Sequence, residues 1–227
     1  MGMPTARAVY DLLRRQLGVT ETPAGSNRNP YGAALHMNGV AWCALLTSWA
    51  FWKLSGLPLI GGKVQSFTPT FAQWFHSHGL WHEPHEKMQL GDIPFFAFYG
   101  PDYEGRWKGI CHVGFTEADN RDDRRFIDIE GNTSAGDDAN GGQVQRRVRS
   151  RAYLAGFGRP HYARPVAFAP VRRKALHRAD IFDKPGGKRL GGMVPGNIFT
   201  QTKPTHEGWG YGTFGKLRGY VKVAAFK

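Results

Sequence analysis

Cys43 stands where a glycine-bearing turn, Met37-Asn38-Gly39-Val40-Ala41, gives way to an apolar run that begins at Trp42. A thiol at a helix start faces unpaired backbone N–H groups and the positive end of the helix dipole, and both favour the thiolate that attacks a carbonyl carbon. The same position suits a buried packing thiol, because free cysteine is among the most buried residue types. Company separates the two readings. A cysteine hydrolase also needs an imidazole that takes the thiol proton and later returns it to the leaving amine, and a polar group that fixes the ring's tautomer and orientation. Downstream, His112 lies in the strand-like Cys111-His112-Val113-Gly114-Phe115, and Ile127-Asp128-Ile129-Glu130-Gly131-Asn132 ends in a carboxylate and an amide two residues apart, on one strand face. Cys43, His112 and either Glu130 or Asn132 make a complete set in chain order. The same period of two sets His112 opposite Cys111 and Val113, so one of Cys111 and His112 is expected to face the Cys43 helix.

Several elements must position these residues. Ala8, Val9, Leu12, Leu13 and Leu17 recur at helical spacing and predict an opening helix over 6–17. Residues 20–32 are dense in Pro, Gly, Ser and Asn, an ordered loop leading to the cysteine. A second helix over 42–54 carries apolar residues on more than one stripe, which predicts a central, mostly buried helix ended by Gly56-Leu57-Pro58. A weaker helix follows over 69–78. After Asp92 the pattern turns strand-like, with candidates at 93–98, 110–116, 126–130 and 143–148. Helices first and a meander afterwards predict an α+β domain. His76, His78, His82 and His85 gather at the end of the third helix, but they lie in a loop-like region without a convincing carboxylate or thiolate partner at ligand spacing, so they read as surface histidines and no metal is expected.

Composition bounds the rest. At 227 residues, one good-sized core and a smaller second module are expected. Seven Trp and fifteen Phe argue for a folded chain. Two cysteines cannot make a disulfide scaffold. A formal net charge of +12 draws the chain to polyanions, nucleic acid or an anionic cell wall. No zinc-finger spacing, ribonucleoprotein signature or phosphate loop supports nucleic acid, so that partner is not expected. The N-terminus enters an amphipathic pattern directly, with no apolar run of signal-peptide or membrane-span length. The expectation is a monomer made in the host cytoplasm without a signal peptide, with no stable membrane insertion.

Six pieces in order resemble the cysteine, histidine-dependent amidohydrolase/peptidase (CHAP) family, a papain-like group of NlpC/P60 type. They are Gly25-Ser26-Asn27 with Pro30-Tyr31-Gly32, Asn38-Gly39-Val40-Ala41-Trp42-Cys43-Ala44 with Ser48-Trp49, and Gly91-Asp92-Ile93 with Phe95-Phe96. His112-Val113-Gly114, Ile129-Glu130-Gly131-Asn132-Thr133-Ser134 and Gly156-Phe157-Gly158-Arg159-Pro160 complete the series. The resemblance covers roughly residues 5–165 and implies N-terminal helices packed on an antiparallel sheet. It further implies Cys43 as nucleophile, His112 as general base then acid, and Glu130 as orienter with Asn132 competing or assisting. The backbone N–H of Cys43 would hold the oxyanion, with Asn38 and Trp42 as further oxyanion or substrate candidates; Asn38 is equally a turn asparagine. Some relatives bind calcium in an acidic loop before the cysteine, but residues 33–40 hold no Asp or Glu, so no cofactor is expected.

The expected domains are 1–165, a Pro- and Arg-bearing linker over 166–178, and 179–227. Short turn-punctuated strands in the last part resemble a bacterial SH3-like barrel, on the turn Lys184-Pro185-Gly186-Gly187-Lys188, Gly196, Trp209 and Gly219-Tyr220-Val221. That likeness implies wall binding through Trp209, Tyr211 and Tyr220, with a structural cap as the alternative. Together the two resemblances imply a peptidoglycan hydrolase of phage endolysin type that acts on the wall after release. It would cleave as an N-acetylmuramoyl-L-alanine amidase or a stem-peptide or cross-bridge endopeptidase, with bacterial peptidoglycan and anionic wall polymers as partners. The alternatives are a virion-associated or bacterial wall hydrolase of the same chemistry, and a non-catalytic wall-binding protein on a degenerate CHAP fold.

Overall fold

The computed structural model describes residues 2–59, 62–120, 124–164, 170–203 and 205–226. The chain divides into two compact units, Met1–Arg164 and Pro165–Lys227.

The first unit is α+β. Helix α1 (Ala6–Arg14) is capped by the Thr5 hydroxyl, which accepts from the Ala8 N–H. Its apolar stripe, Val9, Leu12 and Leu13, is buried. The short α2 (Pro30–Ala34) starts inside the stretch expected to be loop. Asn29 Oδ1 accepts from the N–H of Tyr31 at 3.1 Å and of Gly32 at 2.8 Å, and Pro30 supplies a preset φ at the first position. Helix α3 (Cys43–Ser55) buries Leu45, Leu46, Ala50 and Phe51, in keeping with its all-round apolar sequence. Helix α4 covers Thr68–Ser77.

Six antiparallel strands follow: β1 (Trp81–His82), β2 (Ile93–Phe96), β3 (His112–Asn120), β4 (Arg125–Thr133), β5 (Gln143–Ser150) and β6 (Leu154–Gly158), in the sheet order β1-β6-β2-β3-β4-β5. Two of these carry no strand pattern of their own: β1 is two residues long, and β6 reads as a glycine-bearing motif. Val113, Phe115, Ile129 and Val144 join one core with α3. Phe96, Phe126, Leu154 and Phe157 form a second, smaller cluster. Gly131 lies against α3 so closely that a Cβ there would come within 2.9 Å of the Trp42 ring.

The second unit holds six more antiparallel strands: β7 (Val171–Lys174), β8 (Ala179–Phe182), β9 (Arg189–Met193), β10 (Ile198–Gln201), β11 (Trp209–Phe214) and β12 (Leu217–Lys222), ordered β7-β10-β11-β12-β8-β9. Strand β7 falls within the stretch expected to be linker and pairs along its length with β10. This corrects the linker reading over its described part. The strand lies at a sheet edge and is largely exposed, so Val171-Arg172-Arg173-Lys174 lacks the apolar alternation that marks a half-buried strand. Residues 166–169 of that stretch lie outside the described residues. The core of the unit is small: Ala175, Ile181, Met193, Phe199, Val221 and Ala225. Among the described residues, no helix is long and apolar enough to cross a membrane.

Candidate active site

Cys43 is the first residue of α3, and Trp42, which precedes it, places no side-chain acceptor on the first-turn amides. The segment ahead of the helix is tied down by Glu21, whose carboxylate accepts from the N–H groups of Gly25 and Asn27 and from the indole Nε1 of Trp42 at 3.3 Å. Glu21 lies in a stretch where the sequence shows only loop composition, and nothing local to it announces the clamp. Trp42 is fully buried, and its ring and that of Trp49 both pack on Tyr31, at 5.7 and 4.9 Å between centroids. Asn38 is exposed, and its Oδ1 accepts from the Asn29 backbone N–H at 3.2 Å, which is the contact of a turn asparagine.

In the β3–β4 ladder Gly114 lies opposite Glu130. That register makes His112 and Glu130 diagonal neighbours on one sheet face. Glycine is required at 114, because a Cβ there would meet the Asp128 carboxylate at 2.6 Å and the Glu130 Cγ at 3.1 Å. Nε2 of His112 and Oε2 of Glu130 are 2.9 Å apart, and neither side chain has any exposure. An ionised carboxylate only accepts hydrogen bonds, so the ring proton sits on Nε2. Nδ1 is buried and has no hydrogen-bond partner.

The electrostatics bring Cys43 to the same ring. Burial alone would lower the His112 pKa, but negative charge on the Cys43 sulfur and on Glu130 outweighs it and pushes the imidazole up to about 9. Burial works against Glu130 as well, yet hydrogen bonds from Arg149 and the charge of His112 pull its carboxyl down to about 2. Asp128, fully buried beside them, is pushed well above the usual carboxylate range by burial and by the Glu130 charge. Burial also raises Cys111, and the Cys43 charge adds to that; its Sγ–H donates to the Phe96 carbonyl at 3.5 Å. Cys111 precedes β3 and His112 opens it, while Val113 and Phe115 farther along join the core shared with α3.

Asn132 is drawn elsewhere. Its φ of 56° breaks the β4–β5 register after Glu130, its Oδ1 accepts from Gly142 N–H at 3.2 Å, and its Nδ2 donates to Asn140 at 3.0 Å. The amide thus closes the 134–142 loop, and Glu130 holds the imidazole. Aromatic rings wall the site: Phe96 and Phe98 lie 5.9 and 5.8 Å from the His112 ring. A cleft of about 410 Å³ lined by Phe98, Tyr99, Gly136, Asp137, Asp138 and Tyr153 adjoins it.

Other sequence motifs have structural partners. Arg159 donates from Nε and Nη2 to the buried Asp92 at 2.9 and 2.7 Å, joining the Gly91-Asp92-Ile93 and Gly156–Pro160 pieces. His82 Nδ1 lies 2.8 Å from Glu86, and His78 Nδ1 lies 2.8 Å from the Trp74 carbonyl. Among the described residues no cluster of three His, Cys, Asp or Glu forms a metal-binding group. In the second unit, Trp209, Tyr211 and Tyr220 are half-buried on paired strands. Lys222 lies over Trp209 at 5.0 Å and Lys203 over Tyr211 at 4.7 Å.

No protein-family model matches this sequence, and no curated protein matches it. Among solved structures, the chain is similar to the crystal structure of Ly7917 with the hydrolyzing product of MDP. The likeness has a TM-score of 0.42 and 16% identity, and covers 96% of this chain and 92% of that one.

Proposed function

We propose that the first unit is a papain-like cysteine hydrolase of CHAP type that cleaves an amide bond in or next to the stem peptide of bacterial peptidoglycan. The observation that carries the chemistry is the buried His112–Glu130 pair at 2.9 Å, with Nδ1 left free and the ring under the charge of Cys43 at the start of α3. In this reading the Cys43 thiolate, its proton already held on His112 Nδ1, attacks the amide carbonyl carbon. The oxyanion that forms is held by the Cys43 N–H at the helix start. Collapse breaks the C–N bond, and His112 returns the proton to the leaving amine, leaving an acyl-thioester. Water then attacks the thioester while His112 takes its proton; the C–S bond breaks, releasing the carboxylic acid product and restoring the thiolate–imidazolium pair. Glu130 keeps the ring's proton on Nε2 throughout and stabilises the imidazolium. The choice of peptidoglycan over other amides rests on the CHAP resemblance of residues 5–165. The second unit, read as an SH3-like module, would retain the enzyme on the wall through Trp209, Tyr211 and Tyr220, and an endolysin released from the cytoplasm is the setting that joins the two.

Clearing of a suspension of purified walls tests the proposal. Wild type lowers turbidity, and Cys43→Ala lowers the rate by about 10³-fold or more while the protein stays folded. A Cys43→Ala protein that still clears walls at the wild-type rate would sink the mechanism. Mass spectrometry of the released muropeptides then identifies the bond: a new N-terminal alanine means an amidase, a cut cross-bridge an endopeptidase.

A further inference from the structure

Arg149 lies on β5 and is nearly buried, with 6% side-chain exposure. Its Nε donates to Glu130 Oε1 at 2.6 Å and its Nη2 to Glu130 Oε2 at 2.5 Å, a two-pronged grip on the carboxylate that holds His112. The third nitrogen, Nη1, donates to Asp138 Oδ1 at 2.6 Å, and Nη2 also reaches the Thr133 hydroxyl at 3.3 Å. Phe98 and Phe96 flank the guanidinium at 4.8 and 5.5 Å, the same rings that wall His112. Asp138 is 44% exposed, lines the cleft, and is gripped a second time by Arg147 Nη2 at 2.5 Å. Arg147 also donates to the Ser134 carbonyl at 2.7 Å, so two arginines of one strand bind the 134–142 loop.

A carboxylate orients an imidazole only while it is ionised and fixed in place, and a parallel two-bond fork supplies both conditions where a point charge supplies only the first. Glu130 needs both, because its surroundings are dry and Asp128, buried with no hydrogen-bond partner of its own, lies beside it. We propose that Arg149 is a positioning residue of this site: its fork aims Glu130 at His112 Nε2, and Asp138 on the exposed loop holds the fork in place. The inference rests on the reading of Cys43, His112 and Glu130 as the catalytic set. It adds a chain of contacts from the cleft rim to the thiol, running Asp138, Arg149, Glu130, His112 and Cys43. The charged and titratable groups around Glu130 are His112 from β3, Asp128 on β4, Arg147 and Arg149 from β5, and Asp138 from the loop. Arg149 alone among them donates to both carboxylate oxygens.

The test uses the full chain and a readout independent of walls: the rate of Cys43 alkylation by iodoacetamide against pH, followed by peptide mass spectrometry that separates Cys43 from Cys111. In Arg149→Met, Glu130 takes up a proton in a range where it is ionised in wild type, the imidazolium loses its counter-charge, and the acid limb of the profile moves up by about one pH unit or more. Arg149→Lys keeps the charge without the fork and falls between the two. A folded Arg149→Met protein whose profile overlays wild type overturns the proposal. Should the variants fail to fold, nitrogen-15 spectra of wild-type His112 decide it: Nε2 keeps its proton and carboxylate-bonded shift down to about pH 3, whereas loss near the ordinary glutamate range of about 4.3 overturns the assignment. Neither readout requires wall hydrolysis, so the absence of clearing activity counts against the proposed substrate and leaves this inference to its own outcome.

Discussion

The two units handle charge in opposite ways. The first keeps much of it inside: His112, Glu130 and Asp128 have no exposure, Arg149 has little, and both His112 and Arg149 pair with Glu130. The second holds only three Asp and Glu against twelve Lys and Arg, so most of the chain's net +12 lies in its sixty-three residues, nearly all of it facing outward. Burying ions is costly unless each has a partner and good geometry, and it therefore belongs in a unit with a large core. A small unit whose core among the described residues is six buried apolar side chains does better with its charge in water, while Trp209, Tyr211 and Tyr220 stay half-buried. In the proposed reading the same residue types do different work: partnered and dry they poise a reaction, solvated and one-signed they attract a polyanion.

The sharpest way to break this comparison is to neutralise the buried side of it. Glu130→Gln keeps the shape of the His112 contact and removes its charge, and the expected loss in clearing rate is about 10²- to 10⁴-fold, measured on purified walls. The same change reshapes stability. The folded His112 pKa of about 9 lies above the ordinary value, so its contribution is fully present below about pH 6.5 and is lost as pH rises through 9. Glu130, held down at about 2, contributes above about pH 4.3 and loses that contribution as pH falls through 2. Melting temperature recorded from pH 6 to 10 therefore declines in wild type and flattens in Glu130→Gln; two parallel curves would count against the buried pair.

A smaller effect separates the cores. Phe199 is fully buried in the second unit, and Phe199→Ala costs about 3–4 kcal/mol, nearly the whole stability of so small a fold. Limited proteolysis then cuts within 170–226 while the first unit survives; simultaneous loss of both would mean that the units do not melt separately. The mildest change touches the surface. In a Cys43→Ala background that leaves walls intact, Trp209→Ala lowers co-sedimentation with purified walls by about tenfold, and raising salt to about 1 M, where charges are screened beyond about 3 Å, lowers it further. Retention insensitive to both would assign the second unit a role other than attachment.

How much of this was legible beforehand differs from element to element. Helix α3 and strand β8 stand close to where their patterns put them, because a run that is apolar all round and a strand between turn residues are local signals. Strand β7 and the two-residue β1 exist through pairing with β10 and β6, which no local pattern encodes. The order Cys43, His112, Glu130, Asn132 can be read from residue types alone. Which of Glu130 and Asn132 holds the ring could not be, since the decision lies in a break of register at Asn132 that turns its amide toward Gly142. Arg149 was invisible for a related reason. It is one of three arginines in Gln143–Ser150, and only the alignment of β5 with β4 lays its side chain on Glu130 rather than in water. The sequence by itself determined the candidate reactive groups, the α+β order of elements and the uneven charge, because these follow from residue types, composition and short-range periodicity. Tertiary structure alone decided which buried charges meet, because partnership across strands depends on register, and register is set by the packing of the whole sheet.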